Sequence, residues 1–131
     1  MMELPQQPCT CGTSEEYARC CGPLLAGEQT ASTAEALMRS RYTAFVIGDD
    51  AYLADSWHSQ TRPADASAPK GVDWRRLRIR DTQAGGPDDA TGIVEFIAHF
   101  RTADGRRDFL HERSEFVREN GRWVYVSGAI L

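Results

Sequence analysis

The chain has 131 residues, of which 41% are hydrophobic and 26% charged, and it carries a formal net charge of −4. That length suits one ordinary domain with a small appendage, and the composition excludes a disordered, collagenous or coiled-coil chain. Residues 1–35 hold five glutamates against Arg19 alone, whereas residues 36–131 balance to zero, so the chain does not read as a dedicated nucleic-acid binder.

In chain order, residues 1–5 have neither the basic start nor the apolar stretch of a secretion signal, and no apolar run approaches the ~20 residues of a membrane helix. The expected location is therefore the cytoplasm. All four cysteines then fall within thirteen residues, as Cys9-Thr10-Cys11-Gly12 and Cys20-Cys21-Gly22. Four sulfurs crowded this way suit a tetrahedral zinc site with Zn–S bonds of about 2.3 Å, closed and hence structural. Two disulfides or a set of free redox thiols are the alternatives. Gly12 and Gly22 each follow a cysteine pair, where a chain folding back around a metal calls for permissive dihedrals.

Ser32-Thr33-Ala34-Glu35 reads as a capping box with Ser32 as N-cap and Glu35 reaching back. Ala34, Leu37, Met38, Arg41, Tyr42 and Phe45 keep helical spacing, and Gly48 sits where a C-terminal cap belongs. Asp49 or Asp50 caps a second short helix expected to run through Trp57, and residues 60–71 read as a loop. After Gly71 the period changes to two, predicting strands over 74–80, 92–101, 109–118 and 122–127, with Asn120-Gly121 a strong hairpin signal. Helices followed by a four-strand meander predict an α+β domain with helices on one face of an antiparallel sheet.

Cys9-x-Cys11-Gly12, Tyr17 and Cys20-Cys21-Gly22 resemble the SEC-C motif, a short zinc module also found at the C-terminus of the SecA preprotein translocase. Gly22-Pro23-Leu24-Leu25, Met38 to Phe45, Trp57-His58, His111-Glu112-Arg113-Ser114-x-Phe116 and Gly121-Arg122-Trp123-x-Tyr125 resemble the YchJ family of small bacterial proteins. The resemblance implies zinc ligands Cys9, Cys11, Cys20 and Cys21. It divides the chain into a zinc knuckle, 1–28, and a cone-shaped domain similar to nuclear transport factor 2, 29–131, with a helix-backed curved antiparallel sheet. It implies no known activity. Many SEC-C motifs carry Gly-Ser-Gly-Lys-Lys between the cysteine pairs, where this chain has Gly12-Thr13-Ser14-Glu15-Glu16, an acidic loop in place of a basic one.

Several residues could carry chemistry in such a cone. Arg41 lies on the apolar stripe of the first helix and needs a carboxylate partner, with Glu95 and Glu112 available on strands. Glu112 and Ser114 share one strand face with Leu110 and Phe116, while His111, Arg113 and Glu115 share the other, and periodicity does not decide which face is inside. Asp55 and His58 are spaced to pair on a helix. The leading expectation is a non-enzymatic binding or adaptor protein, with the knuckle docking an unidentified protein partner and the cone holding a small ligand or peptide. The rival is a lyase, isomerase or hydrolase using His58 or His111 as base and Tyr42 or Arg41 as donor. The stripe Arg76-Arg78-Arg80 reads as a solvated edge, because it has no aromatic stacking platform and nucleic acid is accordingly disfavoured. The exposed sheet face leaves a homodimer open.

Overall fold

The computed structural model describes residues 7–131, so residues 1–5, read above for a secretion signal, lie outside the described residues. The knuckle consists of a 3₁₀ turn, Tyr17–Arg19, and a short helix α1, Cys21–Leu25. Two helices follow, α2 (Ala34–Ile47) and α3 (Asp50–Asp55), and then the strands β1 (Asp73–Ala84), β2 (Thr91–Arg101), β3 (Arg107–Glu119) and β4 (Arg122–Ile130). The strands pair antiparallel in the order β1-β2-β3-β4, the meander that short Gly-rich connectors predict. The fold is α+β, a cysteine knuckle followed by helices packed on a four-stranded antiparallel sheet. Among the described residues, no helix is long and apolar enough to cross a membrane.

The first long helix starts one residue later than the capping box suggests. Thr33, not Ser32, is the N-cap: its backbone is extended and its hydroxyl accepts from the Ala36 amide at 3.0 Å. Ser32 instead offers its carbonyl to the Trp123 indole N–H at 3.3 Å, and Glu35 pairs with Arg39 one turn on at 2.9 Å rather than reaching back. At the other end Gly48 takes the left-handed conformation, φ +78°, and closes the helix as expected. Asp49 caps α3 through the Tyr52 amide. This helix stops at Asp55, short of the expected Trp57, because the following residues pair in parallel with the edge of β4. Tyr125 donates its amide to the Ser56 carbonyl at 2.8 Å, and the His58 amide donates to the Tyr125 carbonyl at 2.7 Å.

All four strands outrun their predicted lengths, and three register shifts bend them. The extra residues are Arg75 and Arg80 in β1 and Val126 in β4. One consequence corrects the arginine stripe: Arg80 is the bulge residue, so the outer face continues from Arg78 to Asp81 rather than to Arg80. The core lies between α2 and the inner sheet face, where Leu37, Met38 and Tyr42 pack on Leu77, Val94, Phe96, Phe116 and Trp123. Ser114 and Phe116 are fully buried, which places the Glu112 side of β3 inside and His111, Arg113 and Glu115 outside.

Candidate metal centre and binding cavity

Cys9 and Cys11 sit on a tight loop closed by the Cys9 amide on the Glu15 carbonyl (2.7 Å) and the Gly12 amide on the Cys9 carbonyl (3.2 Å). Gly12 has φ +92°, as a chain doubling back requires. Gly22 is needed for space rather than dihedral freedom, since it is helical and a Cβ there would stand 2.7 Å from the Tyr17 carbonyl oxygen. The two loops bring the sulfurs of Cys9, Cys11, Cys20 and Cys21 within 4.8 Å of one another. Cys11 and Cys20 are 3.5 Å apart and Cys20 and Cys21 4.0 Å apart. A tetrahedron with metal–sulfur bonds of about 2.3 Å has edges of about 3.8 Å, so the spacing fits one metal ion.

Proton bookkeeping points the same way. Cys11 is held far below the ordinary thiol value, chiefly by the hydrogen bonds it accepts from Cys21 and Cys9, while Cys21, as the donor to Cys11, is pushed far above it. Burial lifts Cys20 to about 11. The Cys11 thiolate thus suppresses the ionisation of Cys20 and Cys21, an opposition that a cation at the centre of the cluster would relieve. Around the cluster, the buried Thr43 hydroxyl lies 3.7 Å from the Cys9 sulfur and 3.2 Å from the Thr10 hydroxyl, and Arg39 Nη1 donates to the Cys11 carbonyl at 2.6 Å. Both Arg39 and Thr43 come from α2, so the knuckle is fastened to the main helix.

A second feature lies on the same helix. A cavity of about 230 Å³ opens between α2 and the inner sheet face, walled by Trp57, Trp74, Phe45 and Phe96, with Arg41 and Glu112 as its charged groups. Arg41 is 3% exposed. Its Nη1 donates to the Leu53 carbonyl at 2.9 Å and to Ser56 Oγ at 2.7 Å. The guanidinium carbon stands 4.7 Å from the centre of the Tyr125 ring and 5.1 Å from that of Trp57. The direct pair with Glu112 that the shared face suggests does not form: among the described residues no carboxylate lies within 4.0 Å of Arg41. Burial lowers its pKa to about 10, so it stays charged at neutral pH while its Nε and Nη2 donors have no hydrogen-bond partner among the described residues.

Glu112 is held on one oxygen only. Its Oε2 accepts from Ser114 Oγ at 2.6 Å and from the Tyr125 hydroxyl at 3.0 Å, leaving Oε1 open. A Cβ at Gly128 would overlap this carboxylate, so the glycine on β4 makes room for it. Burial, then the neighbouring Glu112 charge, pushes the Tyr125 phenol well above its ordinary value. The indole N–H groups of Trp57 and Trp74 are buried without an acceptor among the described residues.

The structure brings Arg41 and Tyr42 to the cavity wall but neither histidine. His111 is on the outer face, its Nε2 2.9 Å from Glu95, which also binds Arg113 and whose pKa is lowered first by His111. Glu95 is thereby unavailable to Arg41. His58 faces Glu119 at 3.6 Å, while its expected partner Asp55 pairs with Arg122. Sequence reasoning singled out Arg41 and Glu112. It offered Trp57 as an apolar wall but beside His58 rather than Arg41, and it missed Trp74 and the Tyr125–Glu112–Ser114 chain, whose only signal was the shared parity of 112 and 114.

The family model described as YchJ, middle NTF2-like domain, matches residues 33–128. A UPF0225 protein of Streptomyces coelicolor is 48% identical over 128 residues, covering 98% of this chain and 99% of its own. A UPF0225 protein of Deinococcus radiodurans is 43% identical over 95% of this chain and 91% of its own. Among solved structures, a SEC-C motif containing protein from Rhodopseudomonas palustris superposes with a TM-score of 0.85 at 35% identity, over 95% of this chain and 99% of that one. A sec-c motif containing protein from Psychrobacter arcticus gives 0.78 at 27% identity, over 99% and 86%.

Proposed function

The chain belongs to the YchJ family with its NTF2-like middle domain, and from that premise we propose that it is a small-ligand binding protein whose cone is braced by a zinc-held knuckle. The single observation that carries this reading is Arg41: a buried guanidinium, without a carboxylate partner, turned toward an aromatic cavity with donors to spare. A buried charge left in that state costs stability and is best accounted for by a ligand that accepts from it.

The cavity also defines what fits. Since about 150 Å³ holds a benzene, about 230 Å³ accommodates roughly nine or ten non-hydrogen atoms. Arg41 calls for an acceptor, Glu112 Oε1 for a donor, and the rings between them for a flat apolar body. The two opposite charges disfavour a net anion or cation. The ligand class is therefore a small neutral planar amide or lactam. With neither histidine in the cavity, binding rather than acid–base turnover is the better reading. Cys9, Cys11, Cys20 and Cys21 would hold zinc as a closed, structural site, a role that suits the reduced thiols of the cytoplasm. In this reading the knuckle stiffens α2 and offers its exposed side to a protein partner.

Native mass spectrometry of protein purified without chelators tests both halves. One zinc per chain is expected, and added benzamide is expected to form a one-to-one complex that benzoate and benzamidine do not match and that Arg41→Met loses. A metal-free chain with oxidised cysteines would overturn the zinc site. Equal retention of all three compounds, or of benzamide by the variant, would overturn the cavity assignment.

A further inference from the structure

The outer face of the sheet divides into two unlike halves. Toward one end Asp81, Glu95, His111 and Arg113 pair with one another, with contacts of 2.9 to 3.1 Å. Toward the other, the strand register lines up Arg101 with Arg107, then Arg76 with His99 and Phe109, then Arg78 with Ile97. Arg76, Arg78, Arg101 and Arg107 have no carboxylate within 4.0 Å among the described residues; the register sets Asp73 opposite Arg101, but Asp73 pairs with Arg75, so the four arginines leave this half of the face positive. At their centre Phe109 is 57% exposed, one of few large apolar side chains left in water among the described residues. Its ring lies 6.3 Å from that of His99, inclined at 45°. Partial burial, and then the charges of Arg76 and Arg78, lower the His99 pKa. A shallow concavity of about 350 Å³ joins Arg75, Arg76, His99, Arg101 and Arg107, with Asp108 as its one carboxylate.

The sequence offered an arginine stripe without an aromatic platform. The pairing of β1, β2 and β3 supplies the platform by carrying His99 and Phe109 into the row of Arg76. Planar guanidinium groups suit phosphate oxygens, and an exposed ring among them suits the face of an unpaired base. A duplex would keep its bases stacked on one another and leave Phe109 unused, so the surface favours a single strand.

We propose that this face binds single-stranded nucleic acid, with a base stacked on Phe109 and His99 and the flanking phosphates held by Arg76, Arg78, Arg101 and Arg107. The charge of residues 1–35 opposes the approach of a polyanion, so affinity is confined to low salt and falls steeply as salt rises.

The test uses the full-length, metal-loaded protein and fluorescein-labelled 12-mers of uridylate and thymidylate, read by anisotropy. Binding is expected at 50 mM salt, with log affinity against log salt sloping at about −2 to −3, as three or four phosphate contacts on a single strand give. Phe109→Ala is expected to weaken binding about tenfold, since one stacked base is lost. Arg107→Gln is expected to flatten the slope by about 0.7. Arg80→Gln, on the bulge, is expected to change neither. These side chains are at least partly exposed, so an unchanged melting curve shows that each variant is folded. Stronger uridylate binding would point to RNA, and equal binding to any single strand; both support the site. Absence of binding, binding that Phe109→Ala leaves intact, or full competition by inorganic polyphosphate would overturn it. So would a dimer, seen by sedimentation, that Phe109→Ala dissolves without either form binding the oligonucleotides.

Discussion

Arg41 is held by a carbonyl, a hydroxyl and two aromatic faces, an arrangement that solvates a guanidinium less well than water does. Burial lowers its pKa, which is the same penalty expressed as proton affinity. The groups that receive it can largely do without it: Ser56 Oγ also donates to the Tyr52 carbonyl at 2.7 Å and lies 3.4 Å from the Leu53 carbonyl. Replacing a buried charge by an apolar side chain of similar length is often neutral or stabilising. Arg41→Met should therefore leave the unfolding free energy from urea melts unchanged within about 1 kcal/mol or raise it, while removing ligand binding. A loss of about 3 kcal/mol or more would instead mark Arg41 as a structural tie between α2 and α3, the outcome expected when one partner of a buried network is removed. Helical spacing was enough to place Arg41 on the inner stripe. It could not name Leu53 and Ser56 as its acceptors, because those contacts depend on where α3 ends and the chain turns toward β4.

At the level of the helix and the strand, legibility follows periodicity. The identity and order of α2, α3 and the four strands were readable, since each keeps a 3.6- or 2-residue pattern bounded by Gly, Asn or Asp. Their ends were less so. In α2 two adjacent hydroxyl residues, Ser32 and Thr33, compete for the cap, and the choice falls to the Trp123 indole on β4, far along the chain, which takes the Ser32 carbonyl. Bulges erase the strict alternation at Arg75, Arg80 and Val126, so simple parity misplaces Arg80. The capping difference is measurable. Thr33→Ala removes the acceptor of the Ala36 amide and should cost about 1 kcal/mol. Ser32→Ala keeps the carbonyl that Trp123 uses and should change stability by less than about 0.5 kcal/mol. Paired denaturant melts distinguish the two, and a larger loss in the serine variant would restore the capping box in its original register.

Taken whole, the molecule is two small units sharing one helix. The knuckle was legible in the cysteine spacing and the helix-and-sheet unit in its 3.6- and 2-residue patterns, because both are local signals. Their union was not, because it rests on long-range contacts: Arg39 to the Cys11 carbonyl, and Thr43 to Cys9 and Thr10. Arg39 and Thr43 flank Arg41 and Tyr42 in the same turns of α2, so the face that fastens the metal loop and the face that lines the cavity move together. The knuckle has little apolar core of its own beyond the cysteines, Tyr17 and Leu25, so a metal held by the four sulfurs would supply much of its folding free energy. Removing the metal should therefore do more than unfold residues 7–28. Chelation is expected to speed hydrogen exchange at the α2 amides around Arg39 to Thr43, lower the melting temperature of the whole chain and weaken ligand binding in the cavity, with all three restored by one equivalent of zinc. Exchange confined to the knuckle, with α2 and the cavity unaffected, would show that the two units are fastened but energetically independent.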